Sequence, residues 1–113
     1  MYEYPNLDID IVERDGTVIV VLDGEIDLCA APEFEASLNR VGAGHVKPIV
    51  VDLDRVSFID SAGVHVLLQF SLAEGNGNRL ALTCGSPQVR RLLEVTGVGR
   101  FLRFVASPQL GRV

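Results

Sequence analysis

The sequence predicts an α/β fold: a mixed, mostly parallel sheet with one antiparallel edge strand and helices packed on the sheet. Three observations predict it. Short apolar runs at residues 17–22, 48–53 and 79–83 alternate with stretches of helical periodicity. An alternating strand and a two-residue turn precede the first of those runs. The 113 residues, 48% apolar and 22% charged, suffice for one well-buried core and match neither a disordered chain, a collagen nor a coiled coil.

The elements follow in order β-β-α-β-α-β-α-β. In residues 7–14, Leu7, Ile9 and Ile11 alternate with Asp8, Asp10 and Val12, as in an edge strand with one wet face. Asp15-Gly16 is a hairpin signal, so the first two strands pair antiparallel. The run 17–22 reads as a strand buried on both faces. Pro32 opens the first helix, Glu33 and Glu35 suit its positive end, and Phe34, Leu38 and Val41 form its buried stripe. Gly42 and Gly44 end it.

Residues 48–53 are a second buried strand. A second helix spans residues 61–74, with Val64, Leu67, Leu68, Ser71 and Leu72 on one face. Val66 and Phe70 face elsewhere, which predicts cover on two sides, and Gly75-Asn76-Gly77 stops the helix. Residues 79–83 form the next inner strand. Ser86-Pro87 caps and opens a third helix that turns Val89, Leu92 and Leu93 inward and ends at Gly97. A last short strand covers residues 101–105. The chain reads as a single domain, residues 1–113, with a core at about 7–105 and a tail at 106–113.

Fifteen acidic residues against ten basic ones give a net charge of −5, which argues against nucleic acid or an anionic membrane as partner. The acidic N-terminus carries no export signal, and no apolar run approaches the ~20 residues of a membrane span. A cytoplasmic location with reduced thiols is expected. Cys29 and Cys84, each near the carboxyl edge of the sheet, are a candidate redox pair, against the plainer reading of two small buried thiols. Two histidines and two cysteines without paired ligand spacing predict no metal site, and nothing calls for a cofactor.

Chemistry in such sheets sits at the carboxyl ends of the strands. Two loops are expected there: residues 23–27 after the second strand and residues 58–64 after the third. Ser61 lies where a loop turns into a helix, so a phosphoryl group on its hydroxyl would meet free backbone N–H groups at the positive end of the dipole. The plainer readings stay open. Ser61 is an N-cap, or Asp60 is the cap in its place; Gly63 gives room for close packing; Asp27 is a turn or capping carboxylate.

Gly24-Glu25-Ile26-Asp27 resembles the G-E-L/I-D signature of the STAS domain family. Phe58-Ile59-Asp60-Ser61-Ala62-Gly63-Val64 resembles that family's F-[IVM]-D-S-[SAT]-G-[VL] signature. Ser86-Pro87, Val89-Arg90-Arg91-Leu92-Leu93 and Thr96-Gly97 resemble its third helix. The resemblance runs from the first strand to Phe104, and among such proteins a free-standing domain of this length is most similar to an anti-sigma-factor antagonist. It implies partner switching. The unmodified chain binds an anti-sigma factor that is also a serine kinase and frees the sigma factor; phosphorylation separates the pair, and a phosphatase resets it. By position, the resemblance makes Ser61 the phosphoacceptor and Asp27, with Glu25, a supporting acid. Asp60, Ala62, Gly63 and Val64, with the exposed face of the second helix, become the docking surface. It implies a monomer or weak dimer.

Three positions depart from the pattern. Ala62 stands where some relatives have a second serine, which leaves one candidate hydroxyl. Ala30 stands where the family often has a hydroxyl residue. Residues 106–113, with Pro108 and Gly111 inside, do not predict the full final helix that the family usually has.

Two rival readings remain. One is an unphosphorylated STAS scaffold or sensor module in a larger signalling assembly or a transporter. The other is an enzyme with Ser61 as nucleophile, which needs a base and an oxyanion hole. The histidines are His45 and His65, the latter one helical turn past Ser61, and the glycine of a nucleophile elbow two residues before the serine is absent. A non-enzymatic regulator is the expectation.

Overall fold

The computed structural model describes residues 5–44, 47–73 and 79–108. Strand β1 (Leu7–Arg14) and strand β2 (Thr17–Ile26) form the expected hairpin, in register from Leu7 opposite Gly24 to Arg14 opposite Thr17. Asp15 (φ 52°) and Gly16 (φ 79°) both adopt positive φ, as a tight turn between twisted antiparallel strands requires. Strands β3 (Ile49–Ile59), β4 (Leu80–Leu82) and β5 (Arg103–Phe104) follow in parallel, giving the order β1-β2-β3-β4-β5. The mixed sheet with one antiparallel edge is the one the sequence predicts.

Each parallel crossover steps the same way along the sheet, so right-handed connections carry all three helices to one face. The core forms there. Val20, Leu22, Ile49, Val51, Leu53, Leu80 and Leu82 point into it and meet Phe34 and Leu38 of α1 (Ala31–Gly42), Leu67 of α2 (Ser61–Leu72) and Leu93 of α3 (Pro87–Val95). On the opposite face Ile19 is buried, yet Val21 and Val50 beside it are only half-buried. The expectation that β2 and β3 are buried on both faces is therefore corrected at Val21 and Val50. A continuous β-branched run fixes a strand but not how both of its faces are covered.

The helices keep their predicted stripes, with changes at the ends. Pro32 lies in the first turn of α1, where Phe34 and Leu38 are buried. Val66 and Phe70 of α2 are buried as well as Val64, Leu67 and Ser71, so this helix is covered on two sides. Leu72, predicted to face inward, is the last helical residue and is 70% exposed. The predicted end at Glu74 and the stop at Gly75-Asn76-Gly77 lie outside the described residues. Ser86 caps α3 by accepting a hydrogen bond from the Val89 N–H at 3.2 Å. A 3-10 turn at Val98–Arg100, not anticipated, precedes a β5 shortened from the expected 101–105 to Arg103–Phe104, and Phe101 is exposed. Residues 105–108 carry no regular structure, and residues 109–113 lie outside the described part.

Candidate functional site

Strand β4 pairs with β3 only at Ile49–Val51, whereas β2 and β3 run on together to Ile26 and Ile59. Two register shifts, each with an extra residue in β3, bend this extension. Glu25, Ile26, Phe58 and Ile59 are thus strand residues and not loop residues, which corrects the loops expected at 23–27 and 58–64. Asp23-Gly24 and Asp54-Arg55 read as strand ends because acids and glycine pair poorly in sheets. The shifts absorb them, and Gly24 takes a φ of 127° that other residues rarely adopt.

The extension brings the two sequence motifs together. Ile26 and Ile59 are in register, and the Asp60 N–H donates to the Ile26 carbonyl at 3.1 Å. Asp60 is the N-cap of α2: its Oδ1 accepts from the N–H groups of Ala62 (2.9 Å) and Gly63 (3.4 Å), and its carbonyl accepts from Val64 N–H (3.1 Å). Of the two cap readings, the Asp60 one holds. Ser61 is the first helical residue and is exposed. Two of the N–H donors expected near a phosphoryl group on Ser61, those of Ala62 and Gly63, are therefore already engaged by Asp60.

Beneath Ser61 the helix sits hard on the sheet. A Cβ at Gly63 would lie 2.7 Å from Ile26 Cγ2 and 2.9 Å from Ile59 Cγ1, so only glycine allows this approach. Gly63 and Val64 are buried and Ala62 is half-buried. Gly63 and Val64 carry the loop from below and present no side chain to a partner; of the expected docking surface, Ser61, Asp60, Ala62 and the exposed face of α2 reach solvent.

Asp27 follows directly on the end of β2. Its Oδ1 accepts from the Ala30 N–H at 3.0 Å, and its carbonyl accepts from Ala31 N–H at 2.9 Å. It thus serves the head of α1, whose formal cap, Ala30, has no side-chain hydrogen bond. Ala30, where the family often has a hydroxyl, is fully buried. Glu25 and Asp27 are each half-exposed, and Leu28, the next residue, is 76% exposed.

Cys29 and Cys84 are half-buried and not joined in a disulfide. They follow β2 and β4, with β3 between, and two strand spacings are about 10 Å, beyond the about 7 Å a disulfide spans. The geometry gives the redox pair no support. His65 is exposed on α2 and is not hydrogen-bonded to Ser61; His45 lies outside the described residues. Among the described residues no three His, Cys, Asp or Glu side chains cluster as metal ligands would, and no helix is long and apolar enough to cross a membrane.

The sequence reading missed a buried acid. Asp52 is 5% exposed, and its Oδ1 accepts from Asp54 N–H (3.0 Å) and from the Thr83 hydroxyl (3.4 Å). Thr83 Oγ1 in turn accepts from Leu53 N–H at 2.8 Å, which ties β4's end to β3. The one visible signal was a lone acid inside an apolar strand. Burial pushes the Asp52 carboxyl above its ordinary value of 3.8, the neighbouring Asp54 charge adds to this, and the hydrogen bonds from Asp54 N–H and Thr83 partly oppose it. A raised folded-state pKa contributes stability that is present below the unfolded pKa and lost as pH rises through the folded one. Asp52→Asn keeps the accepting oxygen without the charge. It should melt higher than the wild type at pH 7, with the gap closing as pH falls toward 3.8, in thermal scans across that range.

The STAS domain family model matches residues 8–110. An anti-sigma-B factor antagonist of Staphylococcus aureus is 30% identical over 94 residues, 82% of this chain and 87% of that protein. An anti-sigma factor antagonist from Mycobacterium paratuberculosis superposes with a TM-score of 0.79 at 27% identity, over 92% of this chain and 87% of that one. The Bacillus antagonist SpoIIAA has been solved in an unphosphorylated form (TM-score 0.66, covering 88% of each chain) and a phosphorylated form (TM-score 0.61, covering 88% and 91%), each at 28% identity. With the mixed sheet in the order β1-β2-β3-β4-β5, the paired ends of β2 and β3 and a family match over nearly its whole length, the chain belongs to the STAS domain family.

Proposed function

We propose that this chain is an anti-sigma-factor antagonist that switches partners through Ser61. One observation carries the reading: Ser61 is the exposed first residue of α2, uncommitted to capping, on an edge shared with Asp27. The relatives support it, being named antagonists, one of them known in both phosphorylation states.

In this reading the unmodified chain binds an anti-sigma factor with serine kinase activity in the cytoplasm and acts as a regulator, not an enzyme. The Ser61 Oγ attacks the γ-phosphorus of the kinase's ATP, the bond to the bridging oxygen breaks, ADP leaves, and the hydroxyl proton passes to a base of the kinase. The new dianion stands next to Asp60, whose carboxylate already holds the Ala62 and Gly63 N–H groups. It stays at the contact surface unpaired. By analogy with losing one partner of a buried charge pair, that costs ~2–5 kcal/mol, roughly 30-fold to several thousand-fold in affinity. A phosphatase restores the hydroxyl. The chain works as one domain, with a core at about 7–105, and as a monomer or weak dimer.

Intact-mass analysis after incubation with candidate anti-sigma kinases and ATP tests the reading. One added phosphate, mapped to Ser61 and absent from Ser61→Ala, supports it. Binding without any modification of Ser61 would favour the scaffold reading. Asp27 is tested in the same assay. Asp27→Asn keeps the hydrogen bond to Ala30 but removes a charge at the kinase's approach, so slower phosphorylation is expected with little change in melting. Unchanged rate and affinity would reduce Asp27 to a turn residue.

A further inference from the structure

Two large apolar side chains flank Ser61 and serve no core. Leu28, just after Asp27, is 76% exposed; Phe58, three residues before Ser61, is 48% exposed. Neither belongs to the buried cluster. Phe58 borders a cleft of about 350 Å³ between the end of β3 and α3, with Val89 and Leu92 on its far wall.

A partner that phosphorylates Ser61 must bring reacting atoms to about 3–3.5 Å. A protein of standard interface size covers about 800 Å² of this chain, a disc of about 16 Å radius. Phe58 is within about 11 Å of Ser61 along the chain. Leu28 lies two residues past Ile26, whose carbonyl is bonded to Asp60. Both anchors therefore fall inside the covered disc. The two segments that carry them hold Asp23, Glu25, Asp27, Asp54 and Asp60 against Arg55 alone, a rim that complements basic residues.

We propose that Leu28 and Phe58 are the apolar anchors by which the ATP-using anti-sigma partner docks on the Ser61 edge. The partner offers them an apolar patch bordered by Lys or Arg. The proposal rests on Ser61 being the phosphoacceptor. Large apolar side chains desolvated at the centre of a contact carry a disproportionate share of its affinity, and the acidic rim sets orientation and encounter rate.

The test uses the anti-sigma factors of the same genome, purified singly, with ATP. Binding and Ser61 phosphorylation are measured for wild type, Leu28→Ala, Phe58→Ala and the double variant. Leu72→Ala and Val95→Ala are the controls: these residues are 70% and 74% exposed, at the far ends of α2 and α3. Each anchor variant should lose about tenfold or more in affinity and in phosphorylation at low partner concentration. Melting should be unchanged, and the controls should behave as wild type. Wild-type affinity in the double variant overturns the proposal, as does an equal loss in the controls. So does a double variant that loses only self-association in sedimentation, which would mark the face as a contact between copies of this chain. A wild type that binds but is not phosphorylated on Ser61 overturns the proposed switch, and the anchors are then judged on binding alone. A wild type that no anti-sigma factor binds overturns both.

Discussion

Ser61→Asp should bind the anti-sigma partner far more weakly than wild type, and the phosphorylated chain more weakly still, by 30-fold to several thousand-fold. Ser61→Ala should bind persistently. Because Ser61 is the first helical residue and Asp60 the cap, neither substitution removes a cap, and both variants should fold. Calorimetry with one purified partner measures all four forms. Equal affinity across them would end the partner-switching account. The same geometry predicts how the proposed switch acts. Asp60 holds the Ala62 and Gly63 N–H groups at 2.9 and 3.4 Å, so a phosphate on Ser61 is expected neither to take over the cap nor to melt the helix. Amide exchange across residues 64–72 should be unchanged in the phosphorylated, partner-free chain. Markedly faster exchange there would mean a conformational switch.

Gly63→Ala should damage fold and site together. Its Cβ would meet Ile26 Cγ2 at 2.7 Å, Ile59 Cγ1 at 2.9 Å and the Ile26 carbonyl oxygen at 3.1 Å. The side chains can turn, but that carbonyl is fixed by the strand and by its bond to Asp60, so α2 must lift. Overpacking costs ~1–3 kcal/mol, and alanine's better helix propensity returns about 1. The midpoint should fall by several degrees. Phosphorylation of Ser61 should slow more than the lost stability explains, because the lifted first turn carries Ser61 with it. A variant with wild-type melting and wild-type phosphorylation would show that the approach is not as tight as the backbone places it.

Most of the architecture was legible in the sequence because local chemistry and global fold agree at the joints. Asp15-Gly16 specified the hairpin, and Ser86-Pro87 specified the start of α3, each through a single backbone requirement. What stayed hidden depended on neighbours. The continuation of β2 through Asp23-Gly24 and of β3 through Asp54-Arg55 is enforced by their mutual pairing, which no local propensity reports. Leu72 has the spacing of a core residue but falls on the last turn of α2, beyond the packed surface. At the candidate site, the motifs singled out Ser61 and Asp27, while the choice of Asp60 over Ser61 as cap required coordinates, since both side chains suit that role. Asp52 was unreadable as a buried acid because its partner Thr83 lies 31 residues away, just past the end of β4.

The Asp60 cap has a thermodynamic consequence. Its hydrogen bonds are complete before any phosphate arrives. On the proposed switch, a phosphate on Ser61 would meet the folded chain only through the helix dipole and the charge of Asp60, terms of about 0.3–1 kcal/mol at an exposed site. By linkage, so small a differential shifts the folding midpoint little, and folding shifts the modified fraction little in return. A destabilising substitution in the core would then leave that fraction nearly where it was, and stability and signal would be nearly free to evolve separately.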